Sequence, residues 1–207
     1  MHTFSHMAMS QRNRLLALAK RRPVVTAGEA ARAGIHSEQL TRLVAEGVLD
    51  RISRGQYRLV DGPITEHHSL AVAARSAPKG VICLLSALSF HGIGTQLPHE
   101  VWIAIGRRAR TPSLESPRLR VVRFSGAAFT EGVEIHTVEG QPVRIYSVAK
   151  TLADLFKHRH KVGLDVAIEA LREAWRDRRF TMAALDRAAR VCRVNRVMTP
   201  YVETVIA

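Results

Sequence analysis

Residues 10–59 carry three short helical segments followed at once by an alternating hairpin, and few folds accept that order. Ser10 is placed to cap SQRNRLLALAKRR, in which Leu15, Leu18 and Ala19 share one helical face with Leu16 beside it, and Pro23 stands just past its end. In VVTAGEAARAGI, Thr26 and Glu29 have the spacing of a capping box, and Gly34 suits the stop. Two residues on, SEQLTRLVAEG has Leu40, Leu43 and Val44 as its apolar stripe, Ser37 as the expected cap and Gly47 as the stop. LDRISRGQYRL then alternates apolar and polar residues around Ser53-Arg54-Gly55. Helix, helix, short turn, helix, hairpin is the order of a winged helix-turn-helix, whose third helix can lie in the major groove of DNA with the hairpin beside it.

The side chains left free by that packing decide what such a module can touch. On the third helix, Gln39, Thr41 and Arg42 point away from the leucines, and Ser37 stands near the helix start. A glutamine can bond an adenine edge bidentately, and an arginine a guanine edge. Leu49, Ile52, Tyr57 and Leu59 are expected to pack on the helices, leaving Arg51 and Arg58 outward and Arg54 at the tip to reach phosphate or the minor groove. Arg12 and Arg14 on the first helix are expected phosphate contacts. The charge agrees: 31 basic residues face 18 acidic ones, for a formal net charge of +13, and all but Lys20, Lys79, Lys150, Lys157 and Lys161 are arginines. Such an excess suits a polyanion, because neutralised phosphates release counterions. A GC-rich genome also raises arginine content, and some modules of this order contact proteins instead.

Asp61-Gly62-Pro63 reads as a turn and a boundary, dividing the chain into residues 1–62 and 63–207. ITEHHSLAVAARSAP and the nearly all-apolar VICLLSALSFHGIG read as helices, and VWIAI, LRVVRF and VEIHTV as strands; VEGQPVRIY reads as a turn and a short strand. SVAKTLADLFKH, VGLDVAIEALREAWRD and TMAALDRAARVC return to helical periodicity. The fold class is therefore α+β: a winged helix-turn-helix, then a small mixed sheet with helices and a helical end. The basic loop GRRARTPSLESPR (106–118) is expected to project from the sheet. Arginines on the tail helices form either a surface for an acidic partner or a solvated face.

Other classes find little support. No run approaches the ~18 apolar residues that span a bilayer, and MHTFSHMAMSQRNR lacks an apolar leader segment, so a cytoplasmic location is expected. Cys83 and Cys192 lack the close pairing of a zinc site. Ser147-Val-Ala-Lys150 matches S-x-x-K, but the companion motifs are missing and Ser147 stands where a helix cap belongs. His67, His68, His91, His99, His158 and His160 show no metal-ligand spacing. No catalytic residue, cofactor or metal is expected. A nuclease or transferase using the C-terminal histidines and Asp154 is the enzymatic alternative.

Taken in order, "LVAEGVLDRISRGQYRL", "SALSFHGI", "LPHEVWIAI" and "VRIYSVAKTLADLF" make the chain resemble the AbiEi family, antitoxins of type IV toxin–antitoxin systems that also regulate transcription in phage defence. Lys150 departs from the resemblance, which leads one to expect an acidic residue or an arginine there. The resemblance implies autorepression through inverted repeats in double-stranded promoter DNA, and a C-terminal domain that counters a nucleotidyltransferase-like toxin, with or without binding it. A stand-alone regulator with a C-terminal sensing or dimerisation domain is the other reading.

Overall fold

The computed structural model describes residues 10–22, 24–61 and 66–206, so Pro23 and the expected Gly62-Pro63 boundary lie outside the described residues. The first part runs α1 (Gln11–Arg21), β1 (Val25–Thr26), α2 (Ala27–Arg32), α3 (Ser37–Ala45), β2 (Leu49–Ser53) and β3 (Gln56–Leu59). Ser10 caps α1, its hydroxyl accepting the Asn13 amide at 3.2 Å. The Thr26–Glu29 capping box forms in both directions: the Thr26 hydroxyl accepts the Glu29 amide at 3.2 Å, and the Glu29 carboxylate accepts the Thr26 amide at 2.9 Å.

Ser37 is not the cap it was expected to be. It is the first helical residue of α3, and His36 precedes it with no side-chain cap bond. The turn is braced from α1 instead, with Gln11 Oε1 accepting the His36 amide at 3.1 Å and Arg14 donating to the Gly34 carbonyl at 3.4 Å. A donor at a helix start needs an acceptor, and a distant side chain serves as well as a local one.

Leu15, Leu40, Leu43 and Leu49 meet in one core with Val25, Ala30 and Ile35, and Tyr57 and Leu59 close over it. Each such leucine contributes about 1.5–3 kcal/mol over an exposed one. The hairpin pairs Leu49 with Leu59 and Arg51 with Tyr57, then shifts register before Ser53 meets Gln56. Gly55 takes φ +74°, which the two-residue turn needs and an L side chain resists. β1 adds to the other edge of β3, and the Ala27 amide ties the Gly55 carbonyl to the start of α2 at 2.9 Å.

Ile52 departs from its expected place on the helices. It faces the opposite side of the small sheet and is buried with Val24 against Val72 and Leu114 of the larger part. Glu29 and Arg75 form an ion pair across the same junction. Burial pushes the Glu29 carboxyl up, but hydrogen bonds from Arg75, the Thr26 amide and the Thr26 hydroxyl, with the Arg75 charge, outweigh it and hold it at about 2.

The larger part contains α4 (His68–Ser76), β4 (Val81–Ile82), α5 (Leu84–His91), β5 (Val101–Gly106), β6 (Leu119–Phe124), α6 (Ala127–Thr130), β7 (Val133–Val138), β8 (Gln141–Tyr146), α7 (Val148–Lys157), α8 (Arg159–Val162), α9 (Leu164–Arg176), α10 (Met182–Cys192) and α11 (Asn195–Ile206). The strands make a mixed sheet in the order β6-β5-β4-β8-β7, with β5–β6 and β4–β8 parallel and the remaining pairs antiparallel. Ile103, Val143 and Ile145 meet α4 on one face. Trp102, Ala104 and Tyr146 meet helices on the other. The strand period of two thus fills two cores at once.

One expectation is corrected here, and one element is added. Val81-Ile82, read as the start of a helix, is the central strand of the sheet. Two apolar residues leading into an apolar helix carry no periodicity that separates strand from helix. The final helix α11, which carries Pro200 and was not assigned from the sequence, packs Met198 and Tyr201 into the core.

Candidate nucleic-acid interface

α3 is amphipathic in the way a groove-binding helix requires. Leu40 and Leu43 are buried, while Ser37, Glu38, Thr41 and Arg42 are exposed. Gln39 is half-buried at the margin of that face. At 100° per residue, Glu38 and Ala45 lie at its centre, with Thr41 and Arg42 on either flank.

Two expected contact residues are brought together by a carboxylate the sequence reading passed over. Glu46 accepts from Arg42 Nε at 3.0 Å and also from Arg12 of α1. The hydrogen bond from Arg12, then that from Arg42, holds the Glu46 carboxyl below its usual range. The spacing of Arg42 and Glu46, four residues apart on one helix, was the available signal. Among the described residues Arg42 is engaged only through Nε, so both terminal amino groups remain available for an acceptor.

The hairpin arginines divide. Arg58 donates twice to Asp50 across the strands, at 3.0 and 3.1 Å, which removes it from the outward positive set. Arg51 and Arg54 are exposed, and among the described residues neither makes an ion pair. Arg14 is exposed but turned to the Gly34 carbonyl, and Arg22 pairs with Glu29 at 2.7 Å. Arg12, Thr41, Arg42, Arg51 and Arg54 therefore keep exposed hydrogen-bonding capacity, with the Ser37 hydroxyl at the start of α3.

The residues named for an enzymatic alternative are occupied elsewhere. Every residue of α7 from Val148 to Phe156 is buried, so Lys150 and Asp154, one turn apart, have only each other for charge. Their side chains are 2% and 3% exposed and lie 2.6 Å apart. Lys150 Nζ also sits over the Tyr146 and Phe124 rings, 4.1 and 4.9 Å from their centroids. The Cys192 thiol donates to Asp154 at 3.1 Å.

Burial lifts the Asp154 carboxyl above the usual range against the pull of Lys150. Burial, and then the Asp154 charge, pushes the Cys192 thiol up to about 12. Gly132 covers the lysine stem so closely that a Cβ there would stand 2.6 Å from Lys150 Cβ. Ser147 caps α7, accepting the Lys150 amide at 3.4 Å, as its position in S-x-x-K leads one to expect. His158 stacks on Phe124, and burial, with the charges of Lys161, Lys157 and Lys150, lowers it to about 4. The cluster is a structural ion pair sealed from solvent.

Among the described residues, no group of three or more His, Cys, Asp or Glu side chains is placed to hold a metal ion. Among them, too, no helix is long and apolar enough to cross a membrane.

Residues 13–60 match a family described as transcriptional regulator, AbiEi antitoxin, so the resemblance read from the sequence is borne out over the helix-turn-helix and hairpin. The fold resembles that of RV2827C protein from Mycobacterium tuberculosis, with a TM-score of 0.69 at 13% identity, over 94% of this chain and 77% of that one. No protein of curated function matches the chain.

Proposed function

We propose that this chain, with its AbiEi-type regulator segment, represses its own operon by binding inverted repeats in promoter DNA. In the same reading it is the antitoxin of a type IV, phage-defence system. Residues 1–62 form the winged-helix reader, and residues 63–207 counter a nucleotidyltransferase-like toxin. One observation carries the DNA reading: a leucine-anchored α3 exposes Thr41 and Arg42, with Arg12 beside them and, on the same small module, two hairpin arginines without an ion pair among the described residues. The net charge of +13 supports it, since each neutralised phosphate releases counterions. In this reading Arg42 and Gln39 read base edges, Ser37, Arg12, Arg51 and Arg54 hold the backbone, and Arg14 joins them by giving up its 3.4 Å bond to the Gly34 carbonyl.

The test is a titration of the upstream promoter against random DNA over a range of salt. The promoter should bind at least a thousand-fold more tightly, on the scale of specific over non-specific DNA affinities. Equal affinity for the two overturns the reading. Arg54→Ala should weaken both DNAs alike and shallow the logarithmic salt slope by about one unit, the signature of one lost phosphate contact. An unchanged slope removes Arg54 from the interface.

The antitoxin role is separable from DNA binding in this scheme. Co-expressed with the neighbouring gene product, the full chain should restore growth, and the Arg42→Ala/Arg54→Ala variant should restore it equally. Rescue lost in the folded double variant would place antitoxicity in the DNA-binding residues instead.

A further inference from the structure

A cleft of about 590 Å³ opens where α4 ends, lined among others by Ser76, Lys79, Gly106, Arg110, Thr111 and Phe129. It lies outside the carboxyl end of β5, an edge where α/β sheets commonly hold ligands. Its outer wall is the basic loop that the sequence singled out. Arg123 of β6 braces that loop, donating to the carbonyls of Arg107 at 3.0 Å and Ala109 at 2.8 Å, and to the Thr111 hydroxyl at 2.9 Å. The wall is therefore preformed, and the brace consumes the guanidinium of Arg123 rather than those of its neighbours. Among the described residues neither Lys79 nor Arg110 makes an ion pair, although both line the cleft. Phe129, Ile105 and Pro112 supply an apolar floor to the same space. Two cations without acidic partners over an apolar hollow suit one ligand chemistry: a small organic anion with a flat apolar body and a phosphate head.

Both walls of the cleft continue into the contacts that hold the winged helix. Ser76 directly follows Arg75, which pairs with Glu29 of α2. The basic loop runs on to Leu114, which packs against Ile52 of the hairpin, Val24 and Val72. We infer that this cleft is an effector site for a small organic phosphate, whose binding at Lys79 and Arg110 lowers the affinity of the adjacent winged helix for DNA. Two effects act in that direction: the anion cancels positive charge near the hairpin, and it strains the two contacts that seat the module. The site itself stands without the DNA reading; only its output rests on it.

Phenyl phosphate is the probe, titrated into the full chain by calorimetry beside inorganic phosphate and phenol. One site per chain should appear, with phenyl phosphate binding at least ten-fold more tightly than either fragment. Lys79→Ala/Arg110→Ala should weaken it ten-fold or more, and Ala109→Trp, on the exposed loop, should abolish it by filling the cleft. Saturating probe should lower promoter affinity five-fold or more in the parent and leave it unchanged in Ala109→Trp. Hydrogen exchange across residues 49–59 reads the same coupling without DNA and should quicken when the probe is bound. Absence of binding below millimolar concentration, binding indifferent to both variants, or probe binding that leaves hairpin exchange unchanged each overturns the inference. Quickened exchange in a chain that fails to prefer its promoter would uphold the effector site and sink the DNA reading alone.

Discussion

Replacing Asp154 with alanine is expected to cost about 3–5 kcal/mol of folding stability, as much as truncating a large core side chain. The reason is asymmetric. The pair sits on a helix buried on every side, with exposures of 2% and 3%, so removing the carboxylate strands an ammonium group that water cannot reach. The Tyr146 and Phe124 rings soften that cost, each cation–π contact being worth about 0.5–2 kcal/mol. They do not cancel it, and the Cys192 thiol loses its acceptor as well. Against a typical total of about 5–15 kcal/mol, such a loss removes a large share of the margin. Urea unfolding followed by far-UV circular dichroism measures it. The companion variant Lys150→Met/Asp154→Leu should recover most of the lost stability, because two well-packed apolar side chains replace a buried pair at little or no cost. A loss below about 1 kcal/mol in Asp154→Ala would mean that solvent reaches Lys150, and the sealed-pair account would fall.

That pair also resolves the one position at which the sequence departed from its family resemblance. Lys150 looks anomalous when its neighbours are read one at a time, because only the fold reveals that α7 is buried all round. Asp154 is its i,i+4 partner, and this spacing was visible from the start. What was not visible was that no solvent-facing side of the helix existed to take either charge. The same distinction runs through the rest of the chain. The leucines of α1 and α3, the capping box and the presence of a hairpin turning at Arg54-Gly55 follow from local spacing, so they were legible. β4 was not, since two residues inside an apolar run become a strand only through pairing with β5 and β8. Ile52 was read onto the wrong side of the small sheet: three residues from Leu49 on one strand, it falls on the opposite face, where its partners Val72 and Leu114 are remote in sequence. The candidate interface was legible in residue type but not in pairing. Arg58 is spent on Asp50, and Arg12 and Arg42 are joined through Glu46, which the sequence reading had passed over.

Arg42→Ala is expected to cost about 1–3 kcal/mol on the operator and far less on random DNA, a loss of roughly five- to 150-fold in preference. In the free chain Glu46 holds Nε at 3.0 Å and leaves the two terminal amino groups outward, so the guanidinium is presented before DNA arrives. Presentation of that kind limits the side-chain ordering charged against binding, about 0.5–1.5 kcal/mol for a long flexible residue. Arg42→Lys separates the two ways the residue can act. A lysine keeps the charge but offers no planar fork for the two acceptors of a guanine edge. It should retain non-specific affinity and lose the preference nearly as fully as alanine does. Arg12→Ala, touching the same carboxylate from α1, should weaken operator and random DNA by the same factor, because a phosphate contact carries no sequence information. Competition titrations of operator against random duplex at fixed salt give all three ratios. If Arg42→Ala lowers both affinities equally, or Arg42→Lys discriminates as well as the parent, Arg42 is a backbone contact, and the reading of sequence must lie with Gln39 and Thr41 on the flanks of α3.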